Sequence, residues 1–172
     1  MSTATLIAAE EYLATSYRPD CDLVDGVLLD RNVGQKDHSK LQREVLVWFA
    51  NRRRALRLAA FPEQRLQVGP ARYRIPDVCV VDLPEPPEQV FTAPPYICVE
   101  ILSPDDSFPK LQSRFDDYLS MGVPNIWVLD PASRRAWSVK REGHFESLDG
   151  LLRTSDARVS LLIEELFTPD SD

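Results

Sequence analysis

The chain has 172 residues, of which 44% are hydrophobic and 27% charged, which is typical of a globular protein and excludes a disordered one. Its net charge of −7 argues against a protein that holds nucleic acid by bulk electrostatic attraction, although it leaves room for a local basic groove. No stretch approaches the roughly 18 to 20 apolar residues of a membrane span, and the acidic start lacks the basic region of a signal peptide. We therefore expect a single domain over residues 1–172, with no membrane segment.

The cysteines also bear on the cellular compartment. Cys21, Cys79 and Cys98 are odd in number and show no C-x-x-C spacing, and two of them lie inside apolar runs. This pattern predicts buried reduced thiols, with neither a disulfide nor a zinc site. A cytoplasmic protein is the corresponding expectation.

The first third of the chain alternates between helical and hairpin signals. Apolar residues at helical spacing predict a helix over residues 5–17 and a longer one over 38–58. Between them, Asp25-Gly26 stands between apolar pairs, which favours a β-hairpin.

Apolar strand signals dominate the rest of the sequence. Strands are predicted near residues 59–68 and 72–82, followed by a proline-rich loop, a third strand around Glu100 and a helix over 109–121. Further strands and an apolar C-terminal segment follow, and we expect that segment to dock on the body. This order predicts an α/β fold in which a mixed β-sheet is flanked by helices and one side is open to a ligand.

Two carboxylates interrupt the strands on either side of the proline-rich loop. Asp77 follows Pro76 in Y-R-I-P-D-V-C-V-V-D, and Glu100 lies inside P-Y-I-C-V-E-I-L-S. A buried ionised carboxylate is costly unless it is paired, hydrogen-bonded or bound to a metal. Two of them on neighbouring strands point to a divalent-cation site.

Simpler interpretations of the same residues remain open. Asp77 could end a strand, and Glu100 could form an internal ion pair with an arginine such as Arg74 or Arg114. His38 opens the long helix, where it could cap the helix, pack on Trp48 or contact a substrate phosphate.

The order of several short motifs resembles that of a known family, the Uma-type putative restriction endonucleases of the PD-(D/E)XK nuclease superfamily. The resemblance covers nearly the whole chain, through E-E-Y-L, D-L-V-D-G, I-P-D-V-C-V-V-D, V-E-I-L-S-P and Y-L-S-M-G-V-P-N-I-W-V-L-D-P. It implies a restriction-endonuclease-like fold and a metal-dependent endonuclease that hydrolyses DNA phosphodiester bonds. Asp77 and Glu100 would be ligands of Mg²⁺ or Mn²⁺, Asp22 would match a further acidic position, and a homodimer is expected. The C-terminal segment and an edge near residues 134–139 are candidate dimer contacts.

The sequence departs from the superfamily at its lysine. The position two residues after Glu100 is Leu102, and the lysine that this family usually has on the following helix is Arg114 here. Lys110, one helical turn before Arg114, is a second candidate for the cation. Arginine can stabilise a phosphorane but activates water poorly. An alternative is therefore a catalytically impaired nuclease fold that binds nucleic acid or a protein partner, and a third is a structural domain whose carboxylates are paired internally.

Overall fold

The computed structural model describes residues 6–31 and 35–167. The helices are α1 (Ala9–Ala14), α2 (Lys36–Leu56), α3 (Phe108–Met121) and a 3-10 helix (Ile163–Phe167). The strands are β1 (Cys21–Val24), β2 (Val27–Asp30), β3 (Leu58–Pro62), β4 (Leu66–Gly69), β5 (Arg72–Arg74), β6 (Val78–Asp82), β7 (Ile97–Ile101), β8 (Asn125–Asp130), β9 (Arg135–Lys140), β10 (Gly143–Glu146), β11 (Leu151–Arg153) and β12 (Ser160–Leu162).

A mixed six-stranded sheet forms the centre, in the order β10-β9-β8-β7-β6-β3. Its neighbours pair antiparallel except β7 and β8, which are joined through α3 and run parallel. Side chains alternate between the two faces of a strand, so Val99 of β7 joins the core that includes α2, while Cys98 joins the core that includes α3. The predicted mixed sheet flanked by helices is thus confirmed.

A smaller sheet, in the order β2-β1-β5-β4, carries the N-terminal hairpin. Its own apolar cluster is built from Tyr12, Cys21, Leu23 and Tyr73. Because β5 leads through a short connection into β6, this sheet stands beside the end of the central sheet at which β6 begins. It thereby brings β1 close to the start of β6.

Several predicted boundaries were wrong. The first helix covers only Ala9–Ala14, not residues 5–17, of which residue 5 lies outside the described part. The strand expected over 59–68 is divided into β3 and β4, with Glu63 in the left-handed region at φ 49° between them. The strand expected over 72–82 is divided into β5 and β6 at Pro76, which has no N–H for a ladder bond.

The C-terminal part also corrects one expectation and confirms another. Residues 134–139 do not lie at an edge, because β9 pairs with both β8 and β10. The apolar C-terminal segment does dock on the body, since Leu161, Ile163 and Leu166 are buried in the core on the α2 side. Its apolar surface is therefore used within the chain.

The three cysteines are buried free thiols, as predicted. Burial raises the pKa of the Cys79 thiol and of the Cys98 thiol, which keeps both protonated. In the part of the chain that the structure describes, each helix is too short or too polar to cross a bilayer.

Candidate active site

Asp77 and Glu100 meet at one end of the central sheet. The antiparallel register pairs Val78 with Val99, so Asp77, directly before β6, comes opposite Glu100 on β7. Directly opposed residues project to the same face, with Cβ atoms about 5 Å apart. Asp77 is 6% exposed and Glu100 is 3% exposed. The predicted pair of buried carboxylates is thus found on adjacent strands, facing α3.

Each carboxylate oxygen of Asp77 has a donor. Arg31 Nη2 lies 3.0 Å from Oδ1, while Oδ2 accepts a 2.7 Å bond from the Ile101 N–H and lies 3.3 Å from His38 Nε2. Burial alone would raise the pKa of Asp77, but the His38 and Arg31 contacts and the Ile101 N–H together lower it. Asp77 is therefore held ionised.

His38 belongs to this site and does not pack on Trp48 as one interpretation had it. Its Nε2 points at Asp77, and it is 8% exposed at the start of α2. Burial would lower the pKa of His38, but the hydrogen bond and the charge of Asp77 raise it. The contact of His38 with a substrate phosphate stays a prediction.

Glu100 accepts hydrogen bonds from two side chains of α3. Tyr118 Oη donates to Oε1 at 2.5 Å, and Arg114 Nη1 donates to Oε2 at 2.9 Å. Burial raises the pKa of Glu100 to about 7. The charge of Arg114 opposes this rise, and the nearby charge of Asp77 adds to it. The ion pair considered for Glu100 thus exists with Arg114 and not with Arg74.

Asp22 on β1 lies behind this pair and is fully buried. Its Oδ1 accepts the Ile75 N–H at 3.1 Å, and its Oδ2 accepts bonds from Arg74 Nη1 at 3.0 Å and Arg114 Nη2 at 2.9 Å. Arg74 is anchored further by Asp117, with 2.6 Å between Nε and Oδ2. Asp22 therefore joins the site through the guanidinium of Arg114.

The two candidate cations occupy different depths. Arg114 lies between Glu100 and Asp22 on the floor of the site. Lys110 is exposed, and its Nζ donates to the Asp105 carbonyl at 2.5 Å. Leu102, two residues after Glu100, packs against the apolar core on the α3 side. The cation nearest the carboxylates thus comes from the helix and not from the strand.

These groups line one open cavity of about 260 Å³. All of the predicted site residues contribute to its wall, namely Asp22, His38, Asp77, Glu100, Lys110 and Arg114. Both signs of charge meet there, with the carboxylates at the floor and Lys110 at the mouth. A ligand that enters this cavity would reach the paired carboxylates.

The donor chemistry of the cavity fits a hard divalent cation. Within residues 6–31 and 35–167, no group of three or more acidic, histidine or cysteine side chains is arranged to hold a metal ion. Mg²⁺, however, keeps several waters and is commonly held by one or two carboxylates together with substrate phosphate. Asp77 and Glu100 are such a pair, and both line the cavity.

Sequence reasoning missed two contributors to this site. Arg31, the partner of Asp77, carries no local signal in the sequence. It lies 46 residues before Asp77, and only the fold brings the two side chains together. Tyr118 belongs to the apolar cluster on the α3 side, so its place in the helix pattern indicates packing and not a hydrogen bond to Glu100. Its spacing of four residues from Arg114 was a usable signal, since residues i and i+4 lie on the same helix face.

Comparisons with known proteins identify the family and the fold. A sequence profile of the Uma2 family, described as putative restriction endonuclease, matches residues 9–168. A solved structure from Anabaena variabilis ATCC 29413, described as a putative nuclease belonging to DUF820, is similar with a TM-score of 0.78 at 23% sequence identity. The superposition covers 94% of this chain and 97% of that one, which establishes a shared fold. No curated protein matches the chain. With a profile match over most of its length, the chain belongs to the Uma2 family of putative restriction endonucleases.

Proposed function

We propose that this protein is a metal-dependent endonuclease that hydrolyses DNA phosphodiester bonds. The observation that carries the proposal is the opposed pair of Asp77 and Glu100 at the floor of an open cavity, with the guanidinium of Arg114 beside them. Membership of the Uma2 family supports the same reaction class. The substrate expected from this family is nucleic acid, and we take DNA as the first choice.

Asp77 and Glu100 would hold Mg²⁺ or Mn²⁺, which would polarise the phosphate and supply an activated water. Arg31, His38 and the Ile101 N–H fix the carboxylate of Asp77 in place and keep it ionised. Tyr118 orients the carboxylate of Glu100. A preorganised set of this kind needs little rearrangement when charge develops on the substrate.

Arg114 and Lys110 have different roles in the proposed reaction. Arg114 is charged at every relevant pH, so it can stabilise negative charge on the phosphate but cannot take a proton from water. Lys110 stands at the mouth, where an ammonium can contact the DNA backbone as a point charge. Such local contacts are compatible with a net charge of −7 for the whole chain.

The test is cleavage of supercoiled plasmid with Mg²⁺ or Mn²⁺. Wild type and Asp82→Asn, an exposed aspartate paired with Arg158 at the far end of β6, should both nick the DNA. Asp77→Asn and Glu100→Gln should lower the rate at least a hundredfold. Equal cleavage by all four proteins would show a contaminating activity and reject the assignment.

A second candidate function is a catalytically impaired nuclease fold that binds nucleic acid or a protein partner. The observation in its favour is Arg114 at the lysine position of the family, with the half-buried Leu102 at the alternative one. Wild type would then retard DNA in a gel without cutting it, and Arg114→Lys would gain cleavage. A homodimer in the cytoplasm is the assembly expected with either function, and sedimentation equilibrium would measure it.

A further inference from the structure

We propose that Arg114 is an internal cation that competes with a divalent metal ion for Glu100, and that Asp22 is the positioning residue that keeps it there. The inference rests on the proposed function, because it concerns the same carboxylates. It assigns to Asp22 a role other than that of a metal ligand. It also gives the arginine at this position a consequence that a lysine would have only in part.

The geometry of the guanidinium is the first argument. Arg114 Nη1 lies 2.9 Å from Glu100 Oε2, and its Nη2 lies 2.9 Å from Asp22 Oδ2. The two terminal nitrogens of one planar fork therefore bridge two carboxylates that belong to different sheets. A lysine ammonium is a single point charge, and it cannot hold both in this way. The bridge is specific to arginine.

The balance of charge is the second argument. The buried carboxylates of Asp22, Asp77 and Glu100 are each in contact with a guanidinium. The guanidinium groups that compensate them belong to Arg31, Arg74 and Arg114. A metal ion that binds Glu100 Oε2 must therefore displace the guanidinium of Arg114 from that oxygen. Its net gain is therefore smaller than two buried carboxylates alone would give.

The surroundings of Asp22 are the third argument. It is fully buried, its Oδ1 is taken by the Ile75 N–H, and its Oδ2 is shared by Arg74 and Arg114. Both oxygens thus face donors that belong to the protein. Arg74, itself held by Asp117, donates to the same Oδ2 as Arg114, so Asp22 offers Arg114 a fixed anchor. Asp22 acts on Glu100 through Arg114.

Calorimetric titration with Mg²⁺ tests the proposal without any cleavage. Arg114→Gln should bind Mg²⁺ at least tenfold more tightly than wild type. Arg114→Lys should also bind more tightly, by a smaller factor. The matched control is Arg72→Gln, because Arg72 contacts Asp117 and Asp25 but not the paired carboxylates, and its affinity should equal that of wild type.

The role of Asp22 has its own variants. Asp22→Asn should tighten Mg²⁺ binding, because Arg114 then loses one of its two anchors, whereas loss of a metal ligand would weaken it. Asp22→Glu, which restores a carboxylate, should bring the affinity back toward wild type. Thermal unfolding of each variant checks that the protein is folded, and the double variant Arg114→Gln/Glu100→Gln should lose the gain.

The outcomes separate this inference from the proposed function. If wild type binds Mg²⁺ through Asp77 and Glu100 but Arg114→Gln binds equally or more weakly, competition by Arg114 is wrong while the metal site stands. If Asp22→Asn weakens binding, Asp22 does not act as the anchor of a competing Arg114. If the folded wild type, Arg114→Gln and Arg114→Lys all fail to bind Mg²⁺, the metal site and the inference both fall.

Discussion

The hydroxyl of Tyr118 donates a 2.5 Å hydrogen bond to Oε1 of Glu100, and this bond lies entirely within the buried part of the site. It comes from the same helix face as the ion pair between Arg114 and Glu100. One helix thus fixes both oxygens of a carboxylate that lies on a strand. The orientation of Glu100 depends on α3 more than on its own strand.

Replacing Tyr118 by phenylalanine should lower the free energy of unfolding by roughly 1.5–3 kcal/mol, the range for a hydrogen bond to a charged group. The ring would still fill its place in the core, so the effect would isolate the hydroxyl. Urea denaturation measures it. Tyr96→Phe is the matched control, because its hydroxyl bonds to Asp156 in an exposed setting, and it should cost less stability than Tyr118→Phe. Equal effects of the two changes would contradict the buried role of Tyr118.

Removing the buried guanidinium of Arg74 should be among the most destabilising single changes. Arg74 is 3% exposed and contacts Asp22 and Asp117, so Arg74→Met leaves both carboxylates without this partner. We expect a loss of about 3–5 kcal/mol. Arg53→Met removes an exposed pair with Glu85 and should cost about 0–1 kcal/mol. Chemical denaturation compares the two, and a loss below 1 kcal/mol for Arg74→Met would contradict the expectation.

The sequence predicted the carboxylate pair because its signal is local. An acidic residue inside an apolar run is visible in the sequence, and the strands of Asp77 and Glu100 are close along the chain. The arginine partners are different. Arg31 follows β2 and Arg74 ends β5, and their contacts with the acidic residues depend on how the smaller sheet stands against the central sheet. No periodicity in the sequence encodes that placement.

The stability of the protein should fall as the pH rises from about 5 to 8. The pKa of Glu100 is raised to about 7 from 4.5, so the folded state binds more protons in this window and loses stability as Glu100 ionises, on the order of 3 kcal/mol. The raised pKa of His38 acts in the same direction, since its contribution is full below pH 6.5 and is lost as the pH rises through the folded pKa. Asp77, whose pKa is lowered from 3.8, costs stability only as the pH falls below that value.

Denaturation curves at half-unit steps of pH measure this profile. Glu100→Gln should remove most of the decline between pH 5 and 7, because the amide does not titrate. His38→Gln should leave that part of the decline and flatten the profile above pH 6.5. A wild-type stability that rises from pH 5 to 8 would show that Glu100 is ionised throughout and that its burial is fully compensated.

Lys110 should contribute to the affinity for DNA without contributing to specificity. Its ammonium is exposed at the mouth of the cavity, so Lys110→Ala should reduce the slope of log K against log salt by about 0.9, the value for one phosphate contact. Fluorescence anisotropy with a labelled duplex at several salt concentrations measures the slope. Lys140→Ala, on β9 and outside this cavity, is the control and should leave the slope unchanged.

The boundaries of the strands were also only partly predictable from the sequence pattern. Residues 72–82 read as one apolar run, yet Pro76 divides them between two sheets. The break places Asp77 at the start of β6, where it can meet both Glu100 and the Ile101 N–H. A proline inside a strand signal was the available indication of that change of sheet.

The cation of this site is carried by α3, while Leu102 leaves the strand position apolar. A lysine two residues after Glu100 would follow directly on the strand of that carboxylate. The pair of strands β6 and β7 would then hold most of the groups proposed for catalysis. Here the guanidinium of Arg114 and the phenol of Tyr118 reach Glu100 only when the helix has docked on the sheet. A nascent or partly unfolded chain therefore lacks this arrangement, and the activity proposed for it would require the complete tertiary structure.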